Sequence, residues 1–204
     1  MTTPRYALLI PVKDGHAAKS RLGVGEQSER ARLMEAFARD SITAACASAY
    51  AEVHLVGDLA GLAGLADGLG VPILPDEGDG DLNEALRRAA SRVDRGDLGI
   101  AAMLADLPCL RTADLDAALV AATSRAYVAD AAGTGTTLLL APPGTDLDPR
   151  FGAGSSAAHR ASGARPLEAA LQSLRLDVDT TSDLEAALRF GVGVHTAKVT
   201  SSLL

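Results

Sequence analysis

The 204-residue chain contains no tryptophan, and aromatic residues make up only 3% of it. Its core cannot be organised around large rings. It must be assembled from Ala, Val, Leu and Ile, within a hydrophobic content of 48%. Cysteine is nearly absent as well: Cys46 and Cys109 are too few and too isolated for a disulfide framework or a zinc site. No apolar run approaches the roughly 18 residues that a membrane span needs. Tyr6–Val12 is short and runs straight into charged sequence, so it does not read as a secretory leader. These absences predict a cytoplasmic protein, a single domain over residues 1–204, with no membrane partner. The net charge of −7 excludes a long nucleic-acid partner, because such affinity comes from a basic surface.

Lysine is the scarcest cation, with three in the whole chain, and two of them, Lys13 and Lys19, share a nine-residue loop with Arg21. An acidic protein that concentrates cations there is expected to bind a small anion. A solvated basic turn is the alternative. No Gly-x-x-x-x-Gly-Lys-Ser/Thr pattern is present, so the loop is not a P-loop.

The stretch Leu98–Leu110 is the one around which the fold is best read. Leu98–Ala105 is apolar on both alternating faces, as in a strand buried between helical layers. Asp106 follows at once, and Pro108 ends the ladder. A carboxylate therefore sits at the carboxyl end of a central strand, the edge where open α/β sheets bind ligands; a simple turn start is the alternative. Further strands are expected at Tyr6–Val12, Glu52–Val56 and Val71–Leu74, the last pushed to an edge by Pro72. Helices are expected over 28–49 with Ser28 as N-cap, over 59–69, over 82–93, and after Thr112 as cap. The alternation predicts βαβ units and a three-layer α/β fold.

Beyond residue 125 the pattern changes. Two strands are expected at Tyr127–Ala129 and Thr137–Ala141, and a short helix after Phe151-Gly-Ala-Gly-Ser-Ser156. Pro166 is expected to open a helix. Leu174–Val178 reads as a strand and Thr181–Phe190 as a helix closed by Gly191. Residues from Val194 have no assignment and read as a loose tail.

Asp177 and Asp179 alternate with Leu176 and Val178, so a strand puts both carboxylates on one face. Two acids there need a neutralising charge, unless Asp179 merely helps start the next helix. If Asp106 and Asp177 end neighbouring strands, they can hold one Mg²⁺, with phosphates and water filling its octahedron. Gly133-Thr-Gly-Thr136 and the 151–156 loop are small-residue, hydroxyl-bearing segments that let a ligand approach the backbone, although hairpin turns and N-caps use the same residues. Ser155 and Ser156 at a helix start offer hydroxyls and free N–H groups to an anion. The four histidines (16, 54, 159 and 195) lack metal-ligand spacing. His54 reads as a core or edge residue, and His159 either as a surface residue or as one that reaches an anion.

Pro11-Val-Lys13, Ala18-Lys-Ser-Arg-Leu22, Leu82-Asn-Glu-Ala85, Ala105-Asp-Leu-Pro108, Gly133-Thr-Gly-Thr136, Arg150-Phe-Gly152, Ser155-Ser156 and Leu176-Asp-Val-Asp179 occur in that order. Together they resemble the guanylyltransferases of deazaflavin coenzyme F-420 biosynthesis, most of all their actinobacterial, phosphoenolpyruvate-using branch. The likeness covers about residues 6–193, and its specificity lies in the ordered set. It implies a nucleotidyltransferase-like (Rossmann-like) domain with a mostly parallel mixed sheet, moving GMP from GTP onto phosphoenolpyruvate. It also implies Mg²⁺ on Asp106 and Asp177, and acceptor contacts from Thr136, Gly152 and Ser155. Lys13, Lys19 and Arg21 would act on the triphosphate, and Asn83 would read the guanine. A homodimer, and the transferase that consumes the unstable product, are partners of the kind the family implies. The chain departs from the family pattern at Ala105, where Gly is frequent, and at Ser20, where Thr is common.

The chemistry is consistent with the residue types. A substrate phosphate monoester is mostly ionised at neutral pH, with a second pKa of about 6, and needs no general base to attack a phosphorus. Positioning and charge neutralisation then suffice. The same transfer onto 2-phospho-L-lactate or 3-phosphoglycerate stays open, as does a nucleotide-binding regulatory domain without turnover. Transfer to a molybdopterin is disfavoured, because the first loop lacks paired glycines.

Overall fold

The computed structural model describes residues 5–12 and 27–202. The apolar runs become strands β1 (Tyr6–Pro11), β2 (Ala51–Gly57), β3 (Ile73–Pro75), β4 (Gly99–Met103), β5 (Ala126–Ala129) and β6 (Thr136–Ala141), joined by a two-residue β7 (Arg165–Pro166). Between and after them lie α1 (Gln27–Cys46), α2 (Leu59–Leu69), α3 (Leu82–Val93), α4 (Thr112–Ala121), α5 (Ser155–Ala161), α6 (Thr181–Phe190) and α7 (Val194–Thr200).

The strands form one sheet in the order β3-β2-β1-β4-β6-β5-β7. The β1–β2, β2–β3, β1–β4 and β5–β7 pairings are parallel, and only β6 runs against its neighbours β4 and β5. The sheet is thus mixed and mostly parallel, as expected. β4 lies at its centre, and β3 with its Pro72 lead-in forms one edge. Chain order moves outward from β1 to β3 and then jumps to β4 on the other side. The gap beyond the carboxyl ends of β1 and β4 is therefore the topological switch point, where such sheets open a ligand crevice.

Small side chains let helices pack on both faces. Ala38, Ile42, Leu62, Leu65, Leu115 and Leu119 bring α1, α2 and α4 onto one face. Ala85, Leu86 and Ala89 bring α3 onto the other, beside Phe151. Phe37, Val178, Leu184 and Ala187 form a smaller cluster where α1 meets α6.

Five local expectations change. Ser28 lies inside α1, whose first described residue is Gln27, and does not cap it. Thr112 is the first residue of α4, not its cap, and its hydroxyl donates to the Ala44 carbonyl. Pro166 opens no helix. Arg165 and Leu167 donate to the Arg125 and Tyr127 carbonyls, so the missing Pro166 donor falls on the free edge, where proline is tolerated. Leu174–Val178 is no strand: Gln172–Leu174 is a 3₁₀ turn, followed by an irregular segment without a ladder. β4 already has β1 and β6 on its two sides, so that segment has no edge to join.

The expected tail is helix α7. The buried Asp40 carboxylate, from the middle of α1, accepts the N–H groups of His195 and Thr196 at 3.0 and 2.8 Å. This caps the orphan donors of α7 from a distant element.

Candidate active site

Asp106 leaves β4 in a turn fixed on three sides. Leu104 N–H donates to the Thr137 carbonyl, extending the ladder by one residue. The buried Ser41 hydroxyl of α1 donates to the Ala105 carbonyl at 2.9 Å and accepts Leu107 N–H at 3.1 Å, gripping the backbone on both sides of Asp106. Val178 N–H donates to the Asp106 carbonyl at 3.1 Å. That last bond brings the 176–179 segment to the end of β4. Val178 is fully buried beneath it, Asp177 is half-buried and Asp179 is exposed.

Leu176 and Val178 pack into the cluster between α1 and α6, and the Val178–Asp106 backbone bond brings Asp177 within reach of the Asp106 charge. Burial pushes the Asp177 carboxyl up to about 7, and the charges of Asp106, then Asp179 and Asp130, push it the same way. Such repulsion between hard oxygen donors is what a divalent cation relieves. Among the described residues no group of three or more His, Cys, Asp or Glu side chains is arranged to hold a metal. Two carboxylates with water and substrate phosphate are the donor set that suits Mg²⁺, so the residues fit. Asp179 does not start α6; Thr180 and Asp183 cap it reciprocally.

A cavity of about 640 Å³ opens at the switch point, between the ends of β1 and β4 and helices α1 and α2, with Val12, Met34, Leu62, Leu82, Ala105 and Asp106 on its wall. Its size suits a small-molecule ligand. Lys13, Lys19 and Arg21 lie outside the described residues.

The two small-residue loops meet each other. Ser156 N–H donates to the Thr134 carbonyl at 3.1 Å, and Ser155 N–H to the Gly152 carbonyl at 3.1 Å. These two N–H groups are therefore spent within the protein and do not form the anion site expected at this helix start. The Ser156 hydroxyl is also committed, to Tyr127 Oη at 3.3 Å. Asp130 accepts from Thr134 and Gly135 N–H and closes the first loop; a Cβ on Gly135 would stand 2.5 Å from its Oδ2. Gly152 has φ of +129° with open space around it. Asn83 at the start of α3 makes a reciprocal pair with Phe151: its Nδ2 donates to the carbonyl at 3.0 Å, and its Oδ1 accepts the N–H at 2.6 Å.

His159 is fully buried rather than on the surface. Its Nε2 accepts Arg150 N–H at 2.9 Å, and its Nδ1 lies 2.9 Å from Thr136 Oγ1. Burial lowers its pKa to about 4, with Arg125 acting the same way, Asp148 opposing and Arg150 adding to the fall. A β-bulge explains why Thr136 reaches it. Val128 pairs with Leu138, but Ala129 pairs with Thr136, so Thr137 is the extra residue. Without it Thr136 would share a face with Leu138 and Leu140; the bulge turns it to the α5 face. His54 is half-buried in β2, as expected, with its pKa lowered by burial.

The depressed His159 pKa has a stability consequence. Between about pH 6.5 and pH 4 the unfolded chain takes up a proton at this residue that the folded chain refuses. Stability from this group is therefore complete above pH 6.5 and declines by about 3 kcal/mol as pH falls to 4. Urea unfolding at pH 7 and pH 4.5 should show this fall in the native chain and a smaller one in His159→Gln. Equal falls in the two proteins would remove His159 as its source.

The Guanylyl transferase CofC like family model matches residues 6–203. The phosphoenolpyruvate guanylyltransferase of Streptomyces coelicolor is 46% identical over 207 residues, covering 98% of each chain. Among solved structures, a Desulfovibrio desulfuricans G20 protein provisionally named a nucleotide-diphospho-sugar transferase aligns with a TM-score of 0.70 at 17% identity, over 97% of this chain and 95% of that one. The manganese complex of a Mycobacterium tuberculosis H37Rv protein aligns with a TM-score of 0.55 at 20% identity, over 92% of this chain and 100% of that one. The fold is that of the nucleotidyltransferase-like transferases, and the chain belongs to the CofC-like guanylyl transferase family.

Proposed function

We propose that the chain transfers GMP from GTP to the phosphate of phosphoenolpyruvate, giving enolpyruvyl-diphospho-guanosine and pyrophosphate for deazaflavin coenzyme F-420 biosynthesis. The observation that supports the reading is the Val178–Asp106 backbone bond, which sets the Asp106 and Asp177 charges against each other beyond the end of β4, in a chain 46% identical end to end to a phosphoenolpyruvate guanylyltransferase. A phosphate oxygen of the acceptor attacks the α-phosphorus of GTP. A new P–O bond forms there, the α–β bridging P–O bond breaks, and its electron pair leaves on pyrophosphate. The attacking phosphate is already ionised, so no general base is required.

Asp106 and Asp177 would hold Mg²⁺, which when bound offsets the charge gathered by two phosphorylated substrates. The manganese bound by a structural relative is consistent with a divalent-ion site in this fold. Lys13, Lys19 and Arg21 neutralise the triphosphate. The Thr136 hydroxyl, the open backbone at Gly152 and the buried Ser155 hold the acceptor. Asn83 fixes the 151 backbone, and any contact with guanine falls to its remaining N–H and lone pair. No described helix is long and apolar enough to cross a membrane, in keeping with a cytoplasmic enzyme; a homodimer and hand-over to a product-consuming transferase belong to the same reading.

Product mass tests the acceptor. With GTP and Mg²⁺, phosphoenolpyruvate should give the enolpyruvyl dinucleotide-like product with stoichiometric pyrophosphate. A product formed faster from 2-phospho-L-lactate or 3-phosphoglycerate would overturn the acceptor assignment. GTP binding with no pyrophosphate from any of the three would overturn the transfer itself.

A further inference from the structure

The ring of His159 has only one protonation pattern that its neighbours allow. The Arg150 amide can only donate, so Nε2, 2.9 Å away, must present a lone pair. A buried neutral imidazole with its lone pair on Nε2 carries its proton on Nδ1. That proton lies within reach of the Ser155 carbonyl and of Thr136 Oγ1, 2.9 Å away, so towards the ring the threonine oxygen can only accept. A hydroxyl has a single proton, and here it is not used on the histidine. Among the described residues the Thr136 hydroxyl has no other hydrogen-bond partner. The proton of the buried Thr136 hydroxyl is therefore left to donate elsewhere.

We propose that His159 is a positioning residue that sets the polarity of the acceptor pocket. Through Nδ1–H it obliges the Thr136 hydroxyl to donate, which selects a ligand atom with lone pairs and negative charge, a carboxylate or phosphate oxygen. Through Nε2 it ties residue 150, and with it the loop to Gly152 and Ser155, to the same ring. One side chain of α5 so couples the bulged strand β6 to the glycine loop, with Asn83 holding the next residue, Phe151, from α3. The inference rests on the reading that Thr136 touches the acceptor.

The test is steady-state kinetics with GTP and phosphoenolpyruvate at pH 7.5, with circular dichroism and thermal midpoints for each variant. Glutamine at 159 offers an acceptor to Arg150 but nothing at the Nδ1 position. His159→Gln should raise the acceptor KM about tenfold and leave the GTP KM within about twofold, the loss of one hydrogen bond to a charged group. Asparagine keeps a donor at the Nδ1 position, so His159→Asn should raise the acceptor KM less than about threefold while lowering the thermal midpoint. Thr136→Val should raise the acceptor KM about tenfold, and adding His159→Gln to it should change nothing further.

If Thr136→Val leaves the acceptor KM unchanged, the contact itself is wrong and the proposal falls with it. If Thr136→Val acts but the two His159 variants raise both KM values together, or their effects add to it, His159 is merely structural and the proposal alone is overturned. Should His159→Gln fail to fold, His159→Asn decides: a tenfold rise in its acceptor KM rejects the assigned polarity.

Discussion

Alanine at Asp106 is expected to lower pyrophosphate release by about 10³-fold, the equivalent of the several kcal/mol that a positioned divalent ion contributes to phosphoryl chemistry. The fold should survive. The turn is held by the Asp106 carbonyl, which accepts Val178 N–H, and by the Ser41 hydroxyl on the flanking residues, and none of these uses the carboxylate. Asp177→Asn should cost a similar factor for the same reason. It should also raise the thermal midpoint of the metal-free protein by a few degrees, because a half-buried carboxylate pressed by Asp106, Asp179 and Asp130 is removed. Mg²⁺ should raise the midpoint of the native chain and leave both variants where they are. A turnover rate in Asp106→Ala near that of the native chain would refute the metal assignment. A Mg²⁺-induced shift persisting in both variants would move the ion elsewhere.

The parts of this site that a sequence displays are those with a short-range signature. Leu98–Ala105 is apolar on both faces because β4 is covered on both, and Asp106 ends it because the chain must leave the sheet there. Asp177 was legible as a partner through its alternation with Leu176 and Val178, although the ladder that alternation implied does not form. The remainder depends on long-range contacts. α7 has no cap in its own sequence, because its cap is Asp40, 155 residues earlier than His195. Of the anion-binding N–H groups expected at Ser155 and Ser156, the first is consumed by the Gly152 carbonyl of its own loop and the second by the Thr134 carbonyl of a loop that only the fold brings alongside. The side that Thr136 faces is decided by a bulge, a single unpaired residue that periodicity cannot reveal. His159 lies between Ala158 and Arg160 in a short helix, and nothing in that neighbourhood says it is buried. The one available signal was that it stands four residues after Ser155, on the same helix face as that candidate contact.

Leucine at Asn83 separates two roles for that residue, and the structure favours the less expected one. An asparagine next to Leu82 on the wall of a ligand-sized cavity invites assignment as a base reader. Here its amide instead imitates a strand partner for Phe151, satisfying both the N–H and the carbonyl of one backbone unit. Leucine is close in shape but offers neither donor nor acceptor, so both groups are left unpaired in a half-buried place, at about 1–3 kcal/mol each. The backbone will shift to recover them, and Gly152 is the next residue. Near-attack geometry tolerates little such movement: about 1 Å of misplacement can cost on the order of 10²-fold. The expected result is therefore a fall of about 10²-fold in kcat/KM for phosphoenolpyruvate, with the GTP KM and the preference for GTP over ATP unchanged. If Asn83 mainly reads guanine, the pattern reverses: the acceptor KM holds, the GTP KM rises, and discrimination against ATP collapses, because a site that hydrogen-bonds one base loses that selectivity with the bond. Side-by-side measurement of the two KM values and of the GTP/ATP ratio in the same variant decides between them.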